Sequence, residues 1–391
     1  MGSEDTKSQD VLIVGAGVIG LACAWAAARR GLDVRVLERD RVASGASGVA
    51  AGMLAPVGEA SWGEEALLAL NVASLNRWDG FAGELESESG TEIDYRRVGA
   101  LHVALDRDEA EVLTRRHRLQ VSLGLDSRRL RPSECRRLEP GLATAIAGGV
   151  RAPGEAAVDP QLLCAALATA VERRGGRIEL GAEVVEARFD PDGVSLGCAD
   201  GSCYEGRQAV IAVGAWTGAA DWISRRQRPP VRPVKGELLI LAGPVERPVC
   251  EAIVASERVY VVPRRDGRLV VGATVEEHGF DTRVTAGGVH ELLREGYRLL
   301  PEIAELELVE ARAGLRPGSP DNAPLIGRYG GDGPILATGH YRNGVLQAPI
   351  TAEAVAAHLL GESPAPEAEP FAPTRFAERG GAGVPAEVGT R

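Results

Sequence analysis

The chain has no excess of positive charge: among its 391 residues, 44 Lys and Arg are outnumbered by 55 Asp and Glu, for a formal net charge of −11. A nucleic-acid partner is therefore not expected, because neutralising phosphates requires clustered basic residues. The six cysteines form no CxxC pair, so neither a metal site nor a redox disulfide is predicted.

Long apolar runs are also missing. No stretch approaches the ~20 apolar residues that cross a bilayer, and residues 1–10 contain no apolar leader core. We therefore expect a cytoplasmic protein with reduced thiols and no membrane association. The residues from 361 onward are rich in Pro, Ala, Gly and Glu, and segment 366–391 is predicted to be a partly disordered tail.

The first motif is a glycine-rich turn between a short apolar run and an Ala-rich helical pattern, followed by a second apolar run that ends in an acid. Gly15 permits the tight turn, Gly17 lets the backbone approach a pyrophosphate, and Gly20 allows close packing of helix on strand. Glu38 can accept hydrogen bonds from ribose hydroxyls. The complete unit predicts a dinucleotide site but does not separate NAD from FAD.

The segment 44–53, SGASGVAAGM, favours FAD. A nicotinamide dehydrogenase would continue with a third strand here, whereas this loop is small and nearly uncharged. We interpret it as a surface for a large flat ring and for further phosphate oxygens. Ser47 is the candidate donor and Gly52 permits close contact, although an ordinary flexible turn has a similar composition.

The pattern changes from residue 231 onward to many short strands with hairpin signals, typical of a largely antiparallel sheet. A strand, a loop and a helix at 349–360 follow, and this order is again typical of the nucleotide-binding domain. We predict an α/β fold in which a Rossmann-type FAD-binding domain is interleaved with an α+β substrate domain carrying a mainly antiparallel sheet. The predicted FAD-binding domain comprises 10–85, 145–230 and 316–365, and the substrate domain comprises 86–144 and 231–315.

Five segments after residue 231 resemble the glycine oxidases of thiamine biosynthesis, members of the D-amino acid oxidase superfamily. The segments are VKGE (234–237), YVVPR (260–264), GRLVVGAT (267–274), AGLRPG (313–318) and GHYRNG (339–344). The resemblance extends over residues 10–360. It implies FAD as the cofactor, a small amino acid and O2 as partners, and a homo-oligomer, either a tetramer or a dimer.

The resemblance also implies three substrate contacts. Arg316 would pair with the substrate carboxylate, Tyr260 would hydrogen-bond it, and Arg342 would lie at the site entrance. A planar guanidinium suits a carboxylate because it donates two parallel hydrogen bonds. The alternatives are a structural acid beside Arg316, a core position for Tyr260 and a loop salt bridge for Arg342. His340 is expected to be structural.

Motif and resemblance together predict the cofactor contacts, and Val184 matches the family position whose backbone meets the adenine. A helix beginning near Gln347 is expected to point its positive end at the flavin. The full predicted set is Gly15, Gly17, Val18, Ile19, Gly20, Glu38, Arg39, Ser47, Ala51, Gly52, Met53, Val184, Gly214, Trp216, Gly314, Arg342, Asn343, Gly344, Val345 and Leu346.

FAD is expected to be non-covalent. Relatives that attach it use a cysteine in the region 314–321 or a histidine near the amino end. This chain has no cysteine after Cys250 and no histidine before His102.

The activity implied by the resemblance is oxidative deamination of a small amino acid, glycine first, to the imine and 2-oxo acid. O2 is reduced to H2O2, and the product feeds thiamine thiazole synthesis. Arg258 and Val275 depart from the histidine and methionine of the family pattern, which bears on the choice of substrate. The alternative is an oxidase or dehydrogenase for sarcosine, D-amino acids or another secondary amine. A non-enzymatic flavoprotein would be expected to lose Arg316 or the glycine turn, and both are present.

Overall fold

The computed structural model describes residues 9–224, 228–330 and 333–379. The strands of these residues are β1 (Gln9–Val14), β2 (Val34–Glu38), β3 (Met53–Leu54), β4 (Ala100–Ala104), β5 (Arg128–Leu130), β6 (Gly148–Ala152), β7 (Ala156–Ala157), β8 (Arg177–Leu180), β9 (Val184–Asp190), β10 (Gly193–Cys198), β11 (Cys203–Ile211), β12 (Arg232–Ala242), β13 (Ile253–Ala255), β14 (Tyr260–Pro263), β15 (Arg268–Gly272), β16 (Glu307–Gly318), β17 (Leu325–Arg328) and β18 (Ile335–Thr338). The α-helices are α1 (Val18–Arg29), α2 (Ala46–Val49), α3 (Glu65–Leu75), α4 (Trp78–Ser89), α5 (Arg107–Ser122), α6 (Pro132–Leu138), α7 (Pro160–Arg173), α8 (Ala286–Leu299) and α9 (Gly344–Leu359).

The first sheet has a parallel core in the order β8-β2-β1-β11-β18, with β17 antiparallel at one edge and the β9–β10 hairpin extending from β11. The last four residues of strand β1 are all apolar, and both faces of this part of the strand are buried. Val11 and Ile13 pack into a core with α1, α7 and α9, whereas Leu12 and Val14 pack on the opposite face.

The second sheet has the order β16-β12-β15-β14-β13-β4-β6-β5, and β4–β13 is its one parallel pair among the described residues. Its core contains apolar side chains of β4, β12, β14, β15 and α8. Leu238 and Ile240 of β12 pack instead against the loop that contains Ala51. The predicted combination of a Rossmann-type sheet with a mainly antiparallel sheet is confirmed, and the two sheets meet at the loop around residue 51.

The interleaved domain division remains a proposal. Strand β6 lies inside the segment 145–230 that we assigned to the FAD-binding domain, yet its residues pair with β4 and β5 of the second sheet. We therefore propose to move that boundary to the end of β6, at Ala152.

One sequence-based bound differs from the structure. Helix α9 begins at Gly344, not near Gln347 or Pro349, because the proline stands inside the helix. A proline early in a pattern resembles a helix start, since its missing N–H is normally lost in the first turn. In the predicted tail, residues 366–379 are described and Phe371 is buried in the first core, while 380–391 lie outside the described residues. Among the described residues, no helix has both the length and the apolar character required to span a bilayer.

Candidate active site

A cavity of about 630 Å³ lies between the two sheets. We call the part lined from segments 14–19, 37–39, 44–47 and 182–185 the dinucleotide end. The substrate end is lined from β12, β14, β16, the turn before β14 and the residues after β15, together with Glu59 and Arg342.

The glycine turn forms the floor of the dinucleotide end. Gly15 has φ +107°, and a Cβ on it would lie 2.6 Å from the carbonyl oxygen of Ala212. A Cβ on Gly20 would lie 1.9 Å from the carbonyl oxygen of Gly15. The first glycine is therefore required by backbone conformation and the last by the close approach of α1 to the turn.

Glu38 and Ser47 fix the glycine turn by accepting hydrogen bonds from its backbone. The Glu38 carboxylate accepts the N–H of Ala16 at 2.8 Å and that of Asp40 at 3.0 Å. Each carboxylate oxygen has a second lone pair, so the group can also accept a ribose hydroxyl. The Ser47 hydroxyl oxygen accepts the N–H of Val18 at 2.9 Å.

Trp216 forms one wall of the dinucleotide end. The guanidinium of Arg39 lies 4.1 Å from its ring centroid, and the ring of Phe280 stacks on it at 6.0 Å. A Cβ on Gly45 would lie 3.4 Å from the indole. This wall is therefore a stack of one guanidinium and two aromatic rings, which come from loops of both sheets.

All predicted cofactor residues line this cavity except Gly20 and Leu346. Gly20 does not line the cavity itself, but it packs on Gly15, which does. The carbonyl oxygen of Leu346 faces away from the cavity, since it accepts hydrogen bonds from Ser74 at 2.7 Å and Trp78 at 2.9 Å. These bonds fasten the start of α9, whose uncapped amino end at Gly344 lines the cavity.

Arg316 projects from β16 and is held by carbonyl oxygens. Its Nη1 donates to the carbonyl of Thr274 at 3.0 Å and to that of Lys235 at 3.3 Å. A Cβ on Gly236 would lie 2.1 Å from the same nitrogen, so the guanidinium lies flat against the strand. It forms no ion pair with any acid of the described residues. The guanidinium also hydrogen-bonds the Tyr260 side chain, and its other N–H groups are available to an anion in the cavity.

Tyr260 lies beside Arg316. A Cβ on Gly272 would lie 2.5 Å from the Tyr260 hydroxyl, so the ring packs directly on the neighbouring strand. Burial raises the pKa of Tyr260, against the opposing effect of the Arg316 charge. The phenol is therefore neutral near pH 7 and can donate its O–H.

A buried ionic network lies behind Arg316. The Nζ of Lys235 contacts the carboxylates of Glu237 at 2.7 Å and Glu276 at 3.2 Å. The Thr274 hydroxyl accepts the N–H of Glu237 at 2.8 Å and donates to Glu276 at 2.6 Å. Burial would lower the pKa of Lys235, but the two carboxylates outweigh burial and raise it. The two residues whose carbonyls hold Arg316, Lys235 and Thr274, are thus fixed by this network.

Arg342 has a different environment. Its Nε lies 3.1 Å from a carboxylate oxygen of Glu59, and 45% of its side chain is exposed. Burial raises the pKa of Glu59, and the Arg342 charge opposes the rise. The loop salt bridge that was one of the two sequence-based alternatives is therefore present, and both members line the cavity.

His340, which we expected to be structural, lies at the edge of the cavity. It is buried, and its Nε2 lies 3.0 Å from the Thr351 hydroxyl. Burial lowers the pKa of His340 to about 3, so the imidazole is uncharged near neutral pH. Among the described residues, no cluster of His, Cys, Asp or Glu is arranged to hold a metal.

Sequence reasoning missed Glu59, the Lys235 network and the role of Gly236. Two charges in the apolar strand β12, at Lys235 and Glu237, were a usable signal, because buried charges require partners. For Glu59 the only signal was an isolated acid among small residues, which does not identify Arg342 as its partner.

Fold and cavity together define a dinucleotide-dependent oxidoreductase with a cationic site for a small anion. The family model described as DAO, FAD dependent oxidoreductase, matches residues 10–358, and the chain belongs to that family. The predicted FAD dependence is thereby confirmed. Three features of the cavity fit this cofactor. The glycine turn leaves space for a pyrophosphate, Glu38 can accept a ribose hydroxyl in addition to a backbone N–H, and the amino ends of α1 and α9 have no side-chain cap.

Similar proteins are glycine oxidases and ThiO proteins. The glycine oxidase of Geobacillus kaustophilus (strain HTA426) is 36% identical over 376 residues, covering 95% of this chain and 98% of the relative. The crystal structure of glycine oxidase from Geobacillus kaustophilus matches with a TM-score of 0.88 at 35% identity, covering 94% of this chain and 99% of that one. The bifunctional protein ThiO/ThiG of Synechocystis sp. is 34% identical over 94% of this chain, which spans 54% of that longer protein.

Proposed function

We propose that this protein oxidatively deaminates glycine, using FAD and O2, to give the imine, which water converts to the 2-oxo acid and ammonia, together with H2O2. The observation that carries the proposal is the Arg316 guanidinium, which faces the cavity, is held by two carbonyl oxygens and has no acidic partner among the described residues. The match to glycine oxidases over nearly the whole chain supports glycine as the substrate.

Bound FAD supplies the two-electron oxidation of the carbon next to nitrogen. The glycine turn and the amino end of α1 would hold its pyrophosphate, because both present N–H groups to an anion. Glu38 would accept the ribose hydroxyls. The amino end of α9 at Gly344 would place its positive dipole end at the cavity.

The chain's own contribution to catalysis is binding and orientation. Arg316 has Nη1 committed to two carbonyls and also hydrogen-bonds the Tyr260 side chain, so the donors that remain on the guanidinium serve the substrate carboxylate. Tyr260 donates its O–H to the same group. Two donors fixed by strands hold a two-carbon substrate in one orientation, which is the main catalytic contribution available here. Arg342 is assigned to the entrance, because Glu59 already neutralises it.

Several further properties belong to the same proposal. Relatives named ThiO support a role in supplying the imine to thiamine thiazole synthesis. The cytoplasmic location, non-covalent FAD and the dimeric or tetrameric state remain predictions from sequence.

The test is peroxide release from the purified yellow protein with glycine, sarcosine and D-alanine side by side. We expect the highest kcat/KM with glycine. A higher value for D-alanine or sarcosine would reassign the substrate. Anaerobic reduction of the flavin by glycine without peroxide on exposure to air would replace the oxidase by a dehydrogenase.

A further inference from the structure

Arg258 is a second cation without a partner at the substrate end. It lies in the turn between β13 and β14, is exposed and lines the cavity. Its backbone is fixed, since its N–H donates to the Ser256 hydroxyl at 3.2 Å and the Ser256 N–H donates to the Val259 carbonyl at 2.8 Å. Its guanidinium forms no hydrogen bond or ion pair within the described residues.

The three guanidinium groups at the substrate end differ in their pairing. Arg342 contacts Glu59 at 3.1 Å. The acid next to Arg258 in sequence, Glu257, is taken by Arg116 at 2.9 Å. Arg316 and Arg258 therefore both face one cavity with no carboxylate in contact. A glycine carboxylate can satisfy only one of them.

Arg258 and Arg316 line the same end of the cavity, and Tyr260 lies near both. Arg258 precedes Tyr260 by two residues, which limits their Cα separation to roughly 7 Å, and Tyr260 is the neighbour of Arg316. Val275 follows Thr274, whose carbonyl holds Arg316, and lines the same cavity with 64% of its surface exposed. The short side chain at this position fills little of the cavity beside Arg316.

We propose that Arg258 is a specificity-determining residue that receives a second anionic group, so that the enzyme also oxidises small amino acids carrying two acid groups. The inference rests on the proposed function, because Arg316 must hold the first carboxylate. Iminodiacetate is the type substrate: its CH2–N unit loses two electrons and two protons to O2, water breaks the resulting C=N bond, and glyoxylate, glycine and H2O2 are formed.

The experiment compares kcat/KM for iminodiacetate, D-aspartate and glycine in the holoenzyme and in Arg258→Gln. We expect the ratio of iminodiacetate to glycine to fall about tenfold or more, the usual effect of losing one charge-assisted hydrogen bond. Arg258→Lys, which keeps the charge, should retain most of the ratio. Arg137→Gln is the matched control, since Arg137 is also exposed and has no side-chain partner within the described residues, but lies outside the cavity.

The two dianionic substrates distinguish where the second acid is attached. Faster oxidation of iminodiacetate would mean that Arg258 receives an acid group attached to the substrate nitrogen. Faster oxidation of D-aspartate would mean that it receives one attached to the α-carbon. An unchanged ratio in Arg258→Gln, or an equal fall in Arg137→Gln, would overturn the inference, as would a wild-type enzyme that oxidises glycine but neither diacid. Absence of peroxide with all three substrates would instead remove the proposed function itself.

Discussion

The two ends of the cavity are built from different kinds of interaction. At the dinucleotide end, Gly15, Gly17 and Gly20 lie within one turn, and the surface is mainly backbone of small residues. At the substrate end, Arg316 depends on a carbonyl 81 residues earlier in the chain and on another 42 residues earlier. The first end needs local conformation and empty space, whereas the second needs side chains brought together by sheet pairing.

The two ends also differ in charge. The dinucleotide end offers mainly N–H groups and helix ends, which carry partial charge, and the charged side chains of Glu38 and Arg39 lie beside them. The substrate end contains a buried Lys–Glu–Glu network and three guanidinium groups. Substitutions should therefore separate the two ends: charge removal should damage the substrate end, and added volume should damage the dinucleotide end.

The largest effect is expected at Lys235. Lys235→Met leaves the buried carboxylate of Glu237 without its cation, and we expect it to lower the free energy of unfolding by about 3–5 kcal/mol. Urea unfolding of the holoenzyme measures it. The control is Arg232→Met, which breaks an exposed pair with Glu277 and should cost under ~1 kcal/mol. Equal costs for the two variants would contradict the claim that Lys235 pairs with a buried carboxylate.

Arg316→Ala comes next. Loss of the carboxylate anchor should reduce kcat/KM for glycine by about a hundredfold or more. FAD content should stay near that of the wild type, because the variant leaves the dinucleotide end untouched. Steady-state peroxide assays and the flavin absorbance of the purified protein measure both quantities. Loss of FAD from Arg316→Ala would show that the two ends are not separable.

Gly15→Ala tests the opposite end. The new Cβ would meet the Ala212 carbonyl in a backbone conformation that side chains rarely adopt, at a cost of about 1–3 kcal/mol. We expect FAD affinity to fall about tenfold to a hundredfold, measured by titrating the apoprotein and following flavin fluorescence. Gly31→Ala is the matched control, because Gly31 also has a positive φ, +83°, but its Cβ would meet nothing within 4 Å and it lies outside the cavity. Equal affinities in both variants would contradict the packing argument.

The smallest effect is expected at Arg342. The Arg342 side chain is 45% exposed and that of Glu59 is 22% exposed, so Arg342→Gln should change stability by about 1 kcal/mol and kcat/KM for glycine only a few-fold. A loss as large as that of Arg316→Ala would make Arg342 a direct carboxylate anchor, contrary to its assignment at the entrance.

The contrast between the two ends explains what the sequence predicts. The glycine turn, Glu38 and the loop at 44–53 were predictable because a dinucleotide approaches backbone through a short, contiguous segment. The gathering of Tyr260, Arg316 and Arg342 around one cavity followed from the resemblance, and their individual roles remain predictions.

Long-range partners could not be predicted. Nothing near Glu59 in the sequence indicates Arg342. Of the two carbonyls that hold Arg316, one lies in β12 and the other follows β15, and the register of these strands in the sheet sets both contacts. The start of α9 was misplaced because Pro349 resembles a first-turn proline. Each miss depends on tertiary packing that overrides a local preference.

The most direct test of the central claim uses a carboxylate that cannot be oxidised. Acetate is titrated into the yellow holoenzyme and into Arg316→Ala while the flavin absorbance spectrum is recorded. We predict a saturable spectral change in the wild type that competes with glycine, and an acetate Kd raised about a hundredfold or more in the variant. The same Kd in both proteins would contradict the claim that the Arg316 guanidinium binds the substrate carboxylate.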